Sequence, residues 1–545
     1  MLRLTLALAL FLAVACPAAD FLPVSEIKPG MKGHGLTVFS GTEPERFEAE
    51  AVAVLKNALP GQDLILVRCS GHDLEKTGII AGMSGSPIYF DGRLAGALSY
   101  AWTFGKEPIA GVTPIASMLD DMKRSSSPAS GTTGLRRLSS PLLVSGFTPT
   151  LLEALKKRVG SLGLVPVLGS GSAQPGPVPP ARPVPGGAIG VELIRGDWNA
   201  SAVGTITHVD GDRVLAFGHP LFGLGPVAVP ATGATVHTIF SSSYLSFKFA
   251  SPLGSLGSLV EDRQSCIVVR RGEEPRMVPV KLRTRNVRTG RNQVFALEVV
   301  DNAKLTPSLV LESAANALDA AEATSDDLTA EVRLRARLRD GRELELSDRF
   351  DNGRNGPFNL ASFAPFLELP DNSYAPAFLA SIEADLELLP GRATAEILDA
   401  YPSVRQARAG ETFLVQVAVK PYGKPAQTLG VPVVMPAGAP EGLVRVDIDG
   451  GAAIAPDLAR PEDLDGLLKY VQARNRATDL VVSVEEPGRV LDHRGFHISR
   501  APGSLRAVMG SEGQIARTRV KVPTEWILSG LASTSVELKR QVVAK

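Results

Sequence analysis

The sequence predicts a mainly β protein with a few helices, assembled from several domains. Its 545 residues exceed the roughly 100–200 residues of a typical single domain. Glycine (53) and proline (41) are abundant, and aromatic residues make up only 6%, a composition that favours turn-rich β structure over a helical bundle. Short apolar segments separated by turn residues recur along most of the chain, which is the pattern typical of strands.

Residues 20–168 are predicted to form the first β-rich part of the protein, with a helical segment at its end. Apolar residues on both sides of an Asp-Gly turn predict a hairpin over 88–98. A helix is expected over 114–122. Another is expected to begin at Pro149, where Thr148 supplies a capping hydroxyl and proline suits the first helical position.

Residues 169–187 are a Pro/Gly/Ser-rich segment, interpreted as a linker between domains. A long surface loop inside one domain is the alternative, but structureless stretches of this length are uncommon in compact domains. Residues 188–324 return to the β pattern and end in a helical segment near 301–324. Residues 325–545 are predicted to be β-rich, with a hairpin over 328–346, and contain no chemical motif that assigns them a role.

The first 19 residues have the features of an export signal. Arg3 precedes an apolar segment over 4–15, which is shorter than the ~20 residues that span a bilayer. Small residues then fit a cleavage site after Ala18. A lipoprotein signal with Cys16 as the lipidated residue is an alternative, although 13–15 fits a lipobox only loosely. We therefore expect an exported protein of the periplasm or cell envelope, without a transmembrane span after cleavage.

Charge and cysteine content exclude several classes of partner. Basic and acidic residues both number 57, so the formal net charge is zero, which argues against a nucleic-acid partner. Cys69 and Cys266 remain after export and are expected to be buried free thiols, with a disulfide as the alternative. The sequence contains no CxxC motif or Cys/His cluster, so no metal or other cofactor is expected.

The segment GMSGSP at 82–87 has the composition of a nucleophile turn. Acyl transfer requires a hydroxyl on a tight turn, with backbone N–H groups directed at the developing oxyanion. Glycines on both sides of Ser84 permit such a turn and leave the amides open. The segment and the hairpin after it match the G-x-S-G region of chymotrypsin-like enzymes, whereas a plain β-turn is the alternative.

A family resemblance, which covers about residues 24–120 and 188–270, extends this interpretation. The stretches IKPGMKGHGLTVFSGTEPERFEAEAVAVL and TGIIAGMSGSPIYFDGRLAGALSY resemble the peptidase domain of the SpoIVB family of bacterial serine peptidases. The resemblance implies a chymotrypsin-like double β-barrel, followed here by β-rich C-terminal domains, and a protein or peptide substrate. It also implies Ser84 as the nucleophile. By geometry, the N–H groups of Gly82 and Ser84 are then expected to form the oxyanion hole.

His219 is the predicted general base. Its segment VGTITHVDGDRVLAFGHPLFGLG resembles the family's G-T-x-T followed by A-x-G-H. His34 lies nearer to the serine in sequence, but its segment resembles a region of the family without a catalytic residue, so we interpret it as a turn residue. Because the histidine half comes first in SpoIVB-type enzymes, the resemblance implies that the two halves are permuted in this chain.

The acid of the triad is not identified by the sequence. The family places it shortly upstream of the serine, where this chain has Cys69-Ser70. Asp262 follows the histidine at a chymotrypsin-like separation and is the first candidate, and Asp73 is the alternative. Asp212 is a third carboxylate, in a predicted hairpin turn. A Ser/His dyad without an acid also stays open.

We therefore expect an exported serine endopeptidase that acts through an acyl-enzyme. The alternative is a catalytically inactive envelope protein that keeps the same fold for binding or for a structural role. The unidentified acid and the motif-free C-terminal half favour this alternative. A carbohydrate-binding protein ranks third, because few aromatic residues are available to stack on sugars.

Overall fold

The computed structural model describes residues 21–102, 105, 107–123, 136–138, 140–160, 163–169, 181–321, 327–353, 358–437, 441–458, 460–485, 491–493, 496–498 and 517–539. The predicted export signal at 1–19, with Cys16, lies outside these residues, as does most of the predicted linker at 169–187. The described residues are mainly β, with six α-helices among them. The predicted fold class is confirmed.

The chain divides into two compact units. The first comprises residues 1–144, 159–192 and 200–275, and the second comprises 145–158, 193–199 and 276–545. The domain boundaries that the sequence suggests, after residues 168, 187 and 324, stay predictions.

A closed six-stranded antiparallel barrel occupies the N-terminal part of the first unit. Its strands are β1 (Lys32–Thr37), β2 (Glu45–Leu59), β3 (Gln62–Ser70), β4 (Pro87–Phe90), β5 (Arg93–Ala101) and β6 (Ile109–Pro114). The barrel closes in the order β1-β2-β3-β6-β5-β4 and back to β1. The predicted hairpin is β4–β5, and its Asp91-Gly92 turn has positive φ at both residues (50° and 73°), as a type I′ turn requires.

Short elements accompany this barrel and follow it. They are α1 (Leu74–Thr77), α2 (Ile115–Lys123), β7 (Arg136–Arg137), β8 (Ser140–Ser145), α3 (Pro149–Val159) and β9 (Leu164–Leu168). The helix α2 lies where one is predicted over 114–122. The helix α3 begins at Pro149, and Leu151 N donates a hydrogen bond of 3.4 Å to Thr148 Oγ1, so the predicted cap is confirmed.

A second six-stranded barrel completes the first unit. Its strands are β10 (Ala188–Gly196), β11 (Asn199–Asp210), β12 (Arg213–Ala216), β13 (Gly225–Phe240), β14 (Phe247–Asp262) and β15 (Ile267–Arg271). It closes in the order β10-β11-β12-β15-β14-β13 and back to β10, which repeats the strand order of the first barrel. The predicted chymotrypsin-like double barrel is confirmed.

Residues 145–158 of the second unit contain most of α3, and its main part, from residue 276, begins with a sheet and a buried helix. Its strands are β16 (Met277–Asn286), β17 (Asn292–Val300), β18 (Leu328–Leu338), β19 (Glu343–Asp351) and β20 (Leu379–Pro390), in the order β19-β18-β20-β16-β17. The predicted hairpin over 328–346 is β18–β19. The helices are α4 (Thr306–Ala321), which packs on β16, β17 and β20, and α5 (Ala364–Glu368).

The rest of the second unit is a β-sandwich whose two sheets share one apolar core. One sheet has the order β24-β23-β21-β30 and the other β22-β31-β25-β26-β29. The elements are β21 (Thr394–Pro402), β22 (Gln406–Arg408), β23 (Thr412–Pro421), β24 (Gln427–Val434), β25 (Gly442–Gly450), α6 (Leu464–Gln472), β26 (Asp479–Glu485), β27 (Leu491–His493), β28 (Phe496–Ile498), β29 (Arg517–Pro523), β30 (Ile527–Ser529) and β31 (Leu531–Lys539). The β-rich C-terminal region is as predicted.

Candidate active site

Ser84 lies in a tight turn between α1 and β4 of the first barrel. Gly82 and Gly85 have φ of 99° and 97°, a region that glycine adopts at low cost. Inside the turn, Ser86 N and Ser86 Oγ both donate to Met83 O, at 2.9 and 2.7 Å. The glycine spacing and the small polar residues therefore determine the local shape of the turn.

Two backbone N–H groups of this turn stay open. In the part of the chain that the structure describes, the N–H groups of Gly82 and Ser84 have no acceptor, whereas those of Met83 and Gly85 donate to main-chain carbonyls at 3.0 and 2.7 Å. The Ser84 side chain is fully buried, and its Oγ also has no hydrogen-bond partner among the described residues. Open buried amides are costly, and two N–H donors without acceptors beside the serine are what the predicted oxyanion hole needs.

The second barrel holds the turn through β11. Thr205 N donates to Ser84 O at 2.8 Å, and Thr205 Oγ1 donates to Gly82 O at 2.8 Å. Thr207 Oγ1 donates to Gly85 O at 2.7 Å. A Cβ at Gly85 would lie 1.9 Å from Thr205 O, so only glycine permits this approach. The two threonines of the G-T-x-T motif therefore bind the nucleophile turn directly.

His219 follows β12 at the same junction between the barrels. Its buried side chain has Nδ1 2.8 Å from Pro220 O. Because a carbonyl oxygen can only accept, this contact assigns the hydrogen to Nδ1 and leaves the lone pair of the neutral ring on Nε2. That tautomer suits a general base. Upstream, buried Phe217 has φ 66°, a strained value for an aromatic residue.

Close contacts place the histidine segment against the first barrel. Thr113 Oγ1 donates to Gly218 O at 2.7 Å, and a Cβ at Gly218 would lie 2.3 Å from Ser99 Oγ. A Cβ at Gly204 would lie 2.6 Å from the ring of Phe217. Both family-like motifs therefore need glycine for close packing. The structure brings the serine turn and the histidine segment to one junction, and their catalytic roles stay predictions.

Asp262 lies beside the histidine segment. Its buried carboxylate accepts four hydrogen bonds of 2.7–3.3 Å, from the backbone N–H groups of residues 221–224. Burial raises the pKa of this carboxyl group, while the four hydrogen bonds oppose the shift. Asp262 therefore fixes the loop that follows His219-Pro220, and its role as the triad acid stays a prediction.

The other candidate acids lie on the surface. Asp73 is exposed at the start of α1 and forms an ion pair of 2.9 Å with Lys76. Asp212 is exposed in the turn between β11 and β12. Cys69, in the position where the family has its acid, is buried on β3, and burial raises the pKa of its thiol to about 12. Both Cys69 and Cys266 are free thiols.

The interpretation of His34 as a turn residue is wrong, because it lies within β1. Its ring stacks on Tyr89 of β4 with 5.2 Å between the centroids. The flanking glycines serve close packing instead. A Cβ at Gly33 would lie 2.0 Å from Tyr89 O, and one at Gly35 would lie 2.2 Å from the ring of Phe47.

Sequence reasoning missed one residue of this junction, Lys248 on β14. Its side chain is fully buried, with Nζ 2.7 Å from Thr37 Oγ1 and 3.2 Å from Thr205 Oγ1. Burial lowers the pKa of its amine to about 7. The available signal was a lysine between two phenylalanines in a strand whose residues are largely apolar or small, which does not show what the lysine contacts.

Metal sites and membrane spans can be assessed only where the structure describes the chain. Within those residues, no three or more His, Cys, Asp and Glu side chains gather as a metal site would require. No helix in the same ranges has the length and apolar character needed to cross a membrane.

Comparison with known families gives a match to the N-terminal part of the chain. Residues 20–119 match the sequence model of the SpoIVB peptidase S55 family, which agrees with the resemblance noted in the sequence. The matched range contains all six strands of the first barrel and the turn with Ser84. The histidine-bearing barrel lies beyond it, so the permuted order of the halves stays a prediction. No curated protein and no solved structure matches the chain.

Proposed function

We propose that this chain, whose residues 20–119 match the SpoIVB peptidase S55 family, is an exported serine endopeptidase that cleaves protein substrates. The observation that carries the proposal is the contact between the two barrels. The turn with Ser84 and two open amides is bound by the Thr205 and Thr207 side chains of the barrel that also carries His219. Export follows from the signal-like residues 1–19.

The proposed reaction is acyl transfer in two steps. Ser84 Oγ attacks the scissile carbonyl while His219 Nε2 takes the hydroxyl proton, and the N–H groups of Gly82 and Ser84 donate to the oxyanion. The protonated imidazole then gives its proton to the leaving amine as the C–N bond breaks. Water, deprotonated by His219, hydrolyses the acyl-enzyme, and the proton returns to Ser84. Asp262 keeps the loop after His219 in place.

One observation favours the second candidate, a catalytically inactive envelope protein on the same fold. The Ser84 side chain has no exposed surface in this structure, so a substrate reaches it only after a local opening. An inactive binding protein needs no such opening.

The test is covalent labelling of the purified protein, without residues 1–18, by a fluorophosphonate. We expect wild type to label on the peptide that contains Ser84, as mapped by mass spectrometry. Ser84→Ala is expected to abolish labelling, and His219→Ala to slow it by about 10²-fold or more, since a positioned base contributes on this scale. His34→Ala, which changes a histidine outside the junction, is the matched control and is expected to label normally.

Labelling of the folded wild type that survives Ser84→Ala would overturn the assignment of the nucleophile. A folded wild type that does not label at all would instead support the inactive binding protein.

A further inference from the structure

Lys248 is a fully buried lysine between the two barrels, and the proposed mechanism does not use it. It is the second residue of β14 in the second barrel, and its Nζ donates to Thr37 Oγ1 of β1 and to Thr205 Oγ1 of β11. The hydrogen-bond partners of Nζ are two hydroxyl groups, and no charged side chain among the described residues perturbs its amine. A buried ammonium without a counter-ion is costly.

The hydrogen-bond inventory fits a neutral amine. Thr205 Oγ1 uses its own hydrogen on Gly82 O, so it accepts from Lys248. Two hydroxyl acceptors match the two N–H groups of a neutral amine. An ammonium has a third N–H, for which the described residues offer no acceptor. This count agrees with burial, which lowers the pKa of the amine to about 7.

Lys248 also contacts the nucleophile turn by three routes. Its backbone N donates to Ala81 O at 3.0 Å, in the peptide unit that contains the N–H of Gly82. Its side-chain methylenes pack against Gly82, since a Cβ added at Gly82 would lie 3.1 Å from the nearest of them. Its Nζ reaches Gly82 O through the Thr205 hydroxyl. Each route ends at a peptide unit next to the predicted oxyanion hole.

We propose that Lys248 is a positioning residue that, as a neutral amine, aligns the open amides of Gly82 and Ser84 through Thr205. Protonation adds an N–H without an acceptor, so it favours an opened junction in which the turn is less ordered. The inference deepens the proposed function and rests on it for its catalytic consequence. The structural part, a turn ordered by the deprotonated lysine, stands apart from catalysis.

The first measurement is hydrogen exchange resolved to the peptide covering residues 79–86, at pH 6 and pH 8. Wild type is compared at each pH with Lys248→Met, which keeps the stem and removes the amine, so that the intrinsic pH effect on exchange cancels. We expect this peptide to exchange about tenfold more slowly in wild type than in the variant at pH 8, and the difference to be smaller at pH 6. Lys32→Met, an exposed lysine on β1, is the control and is expected to match wild type at both pH values.

The second measurement is the pH profile of fluorophosphonate labelling. At probe concentrations well below saturation, where reaction at Ser84 limits the rate, Lys248→Met is expected to label about tenfold more slowly at pH 8. This is less than the roughly 10²–10³-fold cost of deleting an oxyanion donor. It is also expected to lose one ionisation near pH 7 that wild type shows in addition to that of the histidine. A role in stability alone would not remove an ionisation.

The two readouts separate this inference from the proposed function. If wild type does not label, the proposed function fails and hydrogen exchange alone decides the role of Lys248. Equal protection of wild type and Lys248→Met at both pH values overturns the inference. If Lys248→Met does not fold, Thr37→Val takes its place, because it removes one acceptor of the amine. A pH dependence of exchange in Thr37→Val that is unchanged from wild type would also overturn the inference.

Discussion

Thr205 connects four groups of the candidate active site. Its N–H donates to Ser84 O, its carbonyl accepts from Phe217 N at 3.3 Å, and its hydroxyl lies between Lys248 Nζ and Gly82 O. A single residue thus relates the nucleophile turn, the segment just before His219 and the buried amine. At the scale of single residues, the properties of the site depend on whether each buried polar atom has a hydrogen-bond partner.

The buried amine of Lys248 makes stability depend on pH. Its pKa is about 7 in the folded protein and near 10.5 in the unfolded chain, so between these values the unfolded chain binds a proton that the folded protein does not. Stability of wild type is therefore expected to rise with pH over this window, by at most about 1.4 kcal/mol per pH unit, and to gain nothing from this group below pH 7.

Urea unfolding at pH 7, 8 and 9 checks this dependence, with Lys248→Met beside wild type. The variant is expected to lack the rise, because it has no proton to bind in either state. Parallel curves for the two proteins would show that Lys248 is protonated when folded.

At the scale of elements, β11 and the nucleophile turn fit each other because both have a fixed local geometry. Residues two apart in a strand point to the same face, so Thr205 and Thr207 both reach the turn and bond to Gly82 O and Gly85 O. The nucleophile turn, for its part, has Gly85 at the point where β11 approaches most closely.

Gly85→Ala is expected to separate these elements. The added Cβ meets Thr205 O and Phe217 N at 1.9 and 2.5 Å, and φ is 97°, so both strain and overlap oppose the substitution. We expect a loss of several kcal/mol in unfolding free energy and loss of labelling.

Gly92→Ala is the matched control, because φ is 73° there and no atom lies within 4 Å of the added Cβ. It is expected to cost only the roughly 1 kcal/mol of left-handed backbone strain. Similar costs for both variants in urea unfolding would contradict a close contact at Gly85.

At the scale of the whole first unit, two barrels with one strand order pack so that the nucleophile is enclosed. Ser84 and His219 are both buried at the junction of the barrels. Interfaces of this kind open through collective motions that are slow compared with side-chain rotation. The rate at which Ser84 becomes accessible is therefore expected to be set by a rearrangement of the protein and not by the reactivity of the probe.

Fluorophosphonate labelling is accordingly expected to reach a plateau rate as probe concentration rises. The plateau should have the same value for two phosphonate probes of different intrinsic reactivity, because opening limits both. Rates that stay linear in concentration and scale with probe reactivity would show that Ser84 is accessible in solution.

The sequence by itself determined the features that depend on neighbouring residues. The GMSGSP turn, the Asp91-Gly92 hairpin and the cap at Thr148 are local, so residue type and spacing suffice to predict them. The double barrel also followed from a resemblance that the family match bears out over residues 20–119. His34 was misinterpreted because glycine serves close packing as readily as turns, and the sequence does not show which.

Only the tertiary structure decided which distant groups meet. Lys248 lies 211 residues from Thr37 and 43 from Thr205, and Asp262 lies about 40 residues from the amides that it binds. Alternation along a strand says which residues share a face and nothing about what packs on that face. Hydrogen bonds between such groups form only when barrel closure and barrel packing bring the strands together, and this is why the junction around Ser84 could not be derived from the sequence.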